Sequence, residues 1–199
     1  MGKQIHLEKI KDLFEKSHVV DFSSIKRIVG VKTEKSNYAK LLVSNLIKKE
    51  KIKKLSKGFY TKHNEISFAV FAFKPAYLGL QSALSFYGLW EQETIPVILT
   101  TKKVRRGIRK VFGSNILVRN INKKYFFGFE FLKEASFYLP YSNIEKTFID
   151  FVIFNEKIDN STLKKIKEKI NLSKLKEYLK IYPENLRKKI ERKLNSLKF

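Results

Sequence analysis

Residues 33–63 read TEKSNYAKLLVSNLIKKEKIKKLSKGFYTKH, and the division of this stretch decides the fold. Tyr38, Leu41, Leu42 and Leu46 recur at the three- and four-residue spacing of one helix face, with Asn45 among them. The spacing predicts a helix capped by Thr33 or Ser36 and ending near Lys49. KIKKLS and FYTKH then alternate at period two around Lys57-Gly58, where glycine supplies the positive φ of a tight hairpin turn. Upstream, Leu7, Ile10, Leu13 and Phe14 mark an amphipathic helix ending near Ser17, and Val19 to Phe22 is β-prone. Ser23 or Ser24 is expected to cap a short helix reaching Val29, with Gly30 at its exit. Three helices, the last two joined by a short turn and followed by a basic hairpin, make a winged helix-turn-helix layout.

In that layout the third helix enters the major groove, and its N-terminal residues meet base edges and phosphates. Here those residues are Thr33, Lys35, Ser36, Asn37 and Lys40. An Asn at position 37 suits adenine edges, Lys35 and Lys40 suit guanine or phosphate, and the small Ser36 permits close approach. Lys51, Lys53, Lys54 and Lys57 lie on and around the hairpin, where a wing would track the neighbouring backbone. The same layout also serves for protein docking, with the lysines as a solvated face.

The remainder reads as a mixed α+β domain, giving an expected division into 1–65 and 66–199. Pro75 precedes a stretch carrying Leu78, Ala83, Leu84 and Tyr87, read as a helix that Gly88 ends. Ile95 to Thr101 and Ile116 to Ile121 read as strands, the VRRGIRKVFG between them as a basic excursion, and Tyr125 to Leu132 and Ala135 to Leu139 as further β material. Ser142 and Glu145 have the spacing of a capping box ahead of a helix with Phe148, Ile149, Phe151 and Val152. Helical spacing continues from Ser161, and after Pro183 through Leu186, Ile190 and Leu194.

The chain has 199 residues and 43% hydrophobic composition, enough for one medium core or two small ones. The apolar stretches Phe68–Phe73 and Phe148–Phe154 fall well short of the roughly 18 residues of a membrane-spanning helix. MGKQIHLEKIKD holds no apolar run of a secretion signal, so the protein is expected in the cytoplasm. The absence of cysteine excludes disulfides, thiolate nucleophiles and cysteine-ligated metals. His6, His18 and His63 are scattered without metal-ligand spacing, so neither a metal nor another cofactor is expected. With 42 Lys and Arg against 19 Asp and Glu, the net charge of +23 favours polyanions. Only seven of these cations are Arg, however, and a general lysine bias would also raise the charge. No Gly-rich phosphate loop is present; the lone Glu-x-Lys, Glu191-Arg192-Lys193, sits on a terminal helix and gives a metal-dependent nuclease little support.

Several motifs in this order resemble the AbiEi-type antitoxins of abortive-infection systems. They are Lys57-Gly58-Phe59-Tyr60 closing the winged head, Ala83-Leu84-Ser85-Phe86-Tyr87-Gly88-Leu89, the Pro96 to Thr101 strand, and Glu145-Lys146 followed by Asp150. The resemblance covers most of the chain. It implies a non-enzymatic repressor of its own promoter, whose C-terminal domain counters a nucleotidyltransferase-like toxin. The DNA partner would be a double-stranded operator bound by a monomer or, on an inverted repeat, a dimer. Arg105, Arg106 and Arg109 form a second basic cluster, suited to a DNA phosphate clamp, to an acidic partner or RNA, or to a merely soluble hairpin. Glu145 reads as a cap rather than a catalytic acid, and Asp150 as the partner of Lys146 one turn earlier.

Overall fold

The computed structural model describes the backbone of residues 2–30 and 33–196, and the side chains of 5–30 and 36–196. The fold is mixed α+β and divides into two compact units, residues 1–72 with 110–115, and residues 73–109 with 116–199.

In the first unit, α1 (Gly2–Lys16), β1 (Val20–Asp21), α2 (Phe22–Val29), α3 (Thr33–Lys48), β2 (Lys53–Ser56) and β3 (Phe59–Thr61) follow in order. The strands form an antiparallel sheet ordered β1-β3-β2, with Val20 opposite Tyr60 and Lys53 opposite Thr61. Ile10 and Phe14 of α1, Ile25 and Val29 of α2, and Ala39, Val43 and Leu46 of α3 meet in one core, closed by Ile52 and Tyr60. The helix face that packs inward is therefore Ala39-Val43-Leu46. Leu41 lies about 200° round the helix from Ala39 and is 57% exposed, contrary to its expected place on the buried stripe.

The caps also differ from expectation. α2 starts at Phe22, and Asp21, not Ser23 or Ser24, is its N-cap, accepting from the Ser24 amide at 2.8 Å. Burial alone would raise the Asp21 pKa; hydrogen bonds from Ser23 and Ser24 outweigh it and hold the carboxyl below its usual range. Thr33 and Ser36 both lie inside α3 rather than ahead of it.

The second unit carries β4 (Ala76–Leu78), α4 (Gln81–Phe86), β5 (Val97–Thr100), β6 (Gly107–Val111) and β7 (Ser114–Asn120) apart from their residues within 110–115, β8 (Phe129–Glu134) and β9 (Phe137–Ser142). The helices α5 (Ile144–Ile153), α6 (Asn160–Lys169), α7 (Leu172–Leu179) and α8 (Glu184–Asn195) complete it. The six strands form a mixed sheet ordered β6-β7-β5-β4-β9-β8, with β4 parallel to β9 and β5 parallel to β7. Leu78 thus belongs to a strand, not to the helix expected after Pro75. The basic excursion is itself largely an edge strand, because Gly107 to Val111 alternates between partly covered and exposed positions.

α5 is buried from Glu145 to Val152 and forms the hub against which α4, α6, α7 and α8 pack. Its cap is Asn143, which accepts from the Lys146 amide at 3.0 Å. Ser142 instead pairs with the Thr147 hydroxyl at 2.7 Å, and Glu145 accepts from the Asn171 amide at 2.8 Å, at the start of α7. The capping box is thus replaced, since each of its two side chains has found a partner elsewhere. Gly128, at φ +68, lies against the Lys146 stem: a Cβ there would come within 2.9 Å of the Lys146 Cβ and 3.0 Å of the Tyr178 ring. Among the described residues no helix is long and apolar enough to cross a membrane.

Candidate nucleic-acid interface

α3 presents two chemically distinct faces. Inward lie Ala39, Val43 and Leu46; outward, at three- and four-residue steps, lie Asn37, Lys40, Leu41, Ser44 and Lys48, all exposed. Among the described side chains of that stripe, from Asn37 to Lys48, none is a carboxylate; the side chain of Glu34, three positions before Asn37, lies outside the described residues. Ser36 is half-buried. The backbones of Thr33 and Lys35 occupy the first turn of α3; their side chains lie outside the described residues. Leu41 adds an apolar contact point between the polar groups, suited to a thymine methyl. Sequence spacing assigned it to the core because leucine is usually buried, and only the packing of Ala39 and Val43 against α2 turns it outward.

The hairpin follows α3 through Lys49–Ile52. Leu55 anchors β2 in the interior, while Lys53, Lys54 and Lys57 point to solvent on either side of it. Gly58 makes the turn at φ +79, and its carbonyl accepts from the Phe22 amide at 2.8 Å, fixing the hairpin to the start of α2. Lys51, Lys53, Lys54 and Lys57 are not equivalent. Lys53 donates to the Asn64 side chain, and Lys51 sits with Lys11 and Lys62 around a small cavity of about 170 Å³ floored by Ile10, Phe14, Leu46 and Ile52. Lys54 and Lys57 are exposed on β2 and at its turn.

The arginine cluster belongs to the second unit. Arg105 and Arg106 are exposed ahead of β6, whereas Arg109 is half-buried and engaged. Its guanidinium donates to the Arg105 carbonyl at 2.5 Å and lies 5.4 Å from the centre of the Phe73 ring. Of the three arginines, two are thus exposed and one braces the loop.

Glu145, Lys146 and Asp150 are sealed in the second unit. Lys146 and Asp150 are both 0% exposed and joined as an ion pair one helical turn apart; the Tyr77 hydroxyl donates to Asp150 at 2.7 Å. The Lys146 ammonium lies over the Tyr77 and Phe127 rings at 5.6 and 5.4 Å. Burial pushes Asp150 up and Lys146 down, each opposed by the charge of the other. A pair so enclosed meets no substrate from solvent and acts as an internal tie between α5 and β4.

No family model matches the chain, and neither does any curated protein. Among solved structures it is similar to the crystal structure of the RV2827C protein from Mycobacterium tuberculosis. That match has a TM-score of 0.58 at 12% identity and covers 98% of this chain and 76% of that one. A likeness at this identity concerns the path of the backbone, and with it the α+β architecture, not the chemistry of the interface.

Proposed function

We propose that this chain is a non-enzymatic, sequence-specific DNA-binding protein with a winged helix-turn-helix head, acting as a transcriptional repressor. The observation that carries the reading is the outer face of α3, where Asn37, Lys40, Leu41, Ser44 and Lys48 stand exposed, with no carboxylate among the described residues from Ser36 to Lys48. Asn37 reads bases, and Lys40 with the wing residues Lys54 and Lys57 holds phosphates; the order of helices and strands, three helices and then a hairpin, supports this reading. Lys53, which donates to the Asn64 side chain, contributes field more than direct contact, and Lys51, exposed beside it, adds to the basic surface. Arg105 and Arg106 extend the basic surface of the second unit. The antitoxin role, with a nucleotidyltransferase-like toxin as antagonist, rests on the sequence resemblance to the AbiEi-type family.

The test is a footprint on the chain's own promoter over a salt series. Expected are protection of a defined stretch and an affinity that falls linearly in log–log form as salt rises. Equal affinity for promoter and random duplex would remove sequence specificity, and a salt-independent affinity would remove the phosphate contacts. Co-expression with the product of an adjacent nucleotidyltransferase gene separates an antitoxin from a stand-alone regulator: growth rescue supports the first.

A further inference from the structure

Two of the three histidines, 45 positions apart in the chain, meet at the open end of the first unit's sheet. His18 precedes β1, His63 follows β3, and the antiparallel pairing of those strands brings the rings together. The His18 Nδ1 and His63 Nε2 atoms are 3.3 Å apart and the ring centres 5.2 Å apart, with the planes at 70°. At this separation the two nitrogens are within hydrogen-bond reach, though farther apart than the roughly 2.7–3.2 Å usual between an N–H donor and an oxygen. Two metal–nitrogen bonds of about 2.0–2.1 Å at a tetrahedral angle, by contrast, set the nitrogens about 3.3–3.4 Å apart and the ring centres about 5.2 Å apart. Both observed separations match that second geometry.

The rings are also held from behind. Phe68, fully buried, stacks on His18 at 5.6 Å and meets His63 edge-on at 5.3 Å. The Thr61 hydroxyl donates to the His18 carbonyl at 2.6 Å, fixing the backbone that carries the ring. Lys62, the neighbour of His63, is ion-paired with Glu15, so its charge is countered beside the site. His18 is exposed and His63 half-buried, which leaves a path from solvent.

We propose that His18 and His63 form a two-histidine site for a divalent transition-metal ion of the Zn²⁺, Ni²⁺ or Cu²⁺ type, clasping the ends of β1 and β3. Imidazole pairs select such ions over Mg²⁺ and Ca²⁺, which demand oxygen ligands. Among the described residues no group of three or more His, Asp or Glu side chains gathers around a metal position. Water therefore fills the remaining coordination positions, as in an exchangeable site rather than a closed structural one. The site is independent of the DNA-binding reading, and its test uses no DNA.

Zn²⁺ and Ni²⁺ are titrated calorimetrically into the untagged full-length chain, with Mg²⁺ as control, while the histidine ring resonances are followed by NMR. Expected is saturation at one ion per chain, shifts at His18 and His63 but not His6, and a rise in the thermal midpoint on Zn²⁺ binding. His18→Ala and His63→Ala should each weaken binding at least tenfold and abolish the thermal rise, with unchanged circular dichroism showing that the fold persists. Should a variant lose its fold, His18→Gln and the wild-type ring resonances decide the matter in its place. Binding that is equal in wild type and both variants, shifts centred on His6, or no saturation at millimolar ion would overturn the site.

Discussion

On the proposed DNA-binding reading Asn37 and Lys57 would make different demands on a duplex, and their variants should separate base reading from backbone holding. Asn37→Ala is expected to lower discrimination between operator and random DNA by about 1–3 kcal/mol. Lys57→Ala should weaken both targets alike and reduce the magnitude of the log–log salt slope by about 0.9. Binding isotherms on the two DNAs at several salt concentrations check both outcomes; equal losses on both targets for Asn37→Ala would contradict its placement against bases. Lys146 and Asp150 test a different kind of residue. Removing one partner of a fully buried pair leaves the other charge sealed without compensation, so Lys146→Met should cost about 3–5 kcal/mol in urea unfolding. The double variant Lys146→Met, Asp150→Leu should lose less than that single one, because no orphaned charge remains. The i, i+4 pairing was readable from spacing; its complete burial was not, since burial depends on β4, Phe127 and the neighbouring helices closing over α5.

At the scale of elements, helix starts decide where the chain turns. Asp159 caps α6, accepting from the Thr162 amide at 2.8 Å and from the Ser161 and Thr162 hydroxyls. The Ser161 hydroxyl, then the Thr162 amide and hydroxyl, hold its carboxyl far below the usual range. A depressed folded-state pKa means that the stabilisation is present above the unfolded value of about 3.9 and is lost as pH falls towards the folded one. Asp159→Ala should therefore lower stability by about 0.5–2 kcal/mol near neutral pH, while Asp159→Asn keeps the cap and removes this share of acid sensitivity. Thermal unfolding of the three proteins across the acid range reads this directly. Element positions were largely legible because period and punctuation are local: α1, α3, the Lys57-Gly58 hairpin and α8 lie close to where the spacing puts them. Caps were less so. Asp21 displaced Ser23 and Ser24, and Asn143 displaced Ser142, because several side chains of capping type stand side by side and tertiary partners choose among them.

At the scale of the whole molecule, the two units carry separate expectations. Removing residues 1–65 should abolish operator binding yet leave protection against a cognate toxin, a hypothesis that rests on the family resemblance. Growth rescue by the full chain alone, with the shortened one still folded by circular dichroism, would overturn it. The mixed α+β class and the helix–helix–helix–hairpin order of the first 63 residues were legible from local pattern. The excess of positive charge was legible too, because hydrophobic period, glycine turns and composition are properties of neighbours in the chain. Tertiary structure alone decided that Leu41 faces outward, that Arg109 is braced against Phe73, and that the Lys146–Asp150 pair is enclosed. It alone brought His18 to His63 across 45 positions. Each of these outcomes follows from which distant surfaces pack together, and no local spacing encodes that choice.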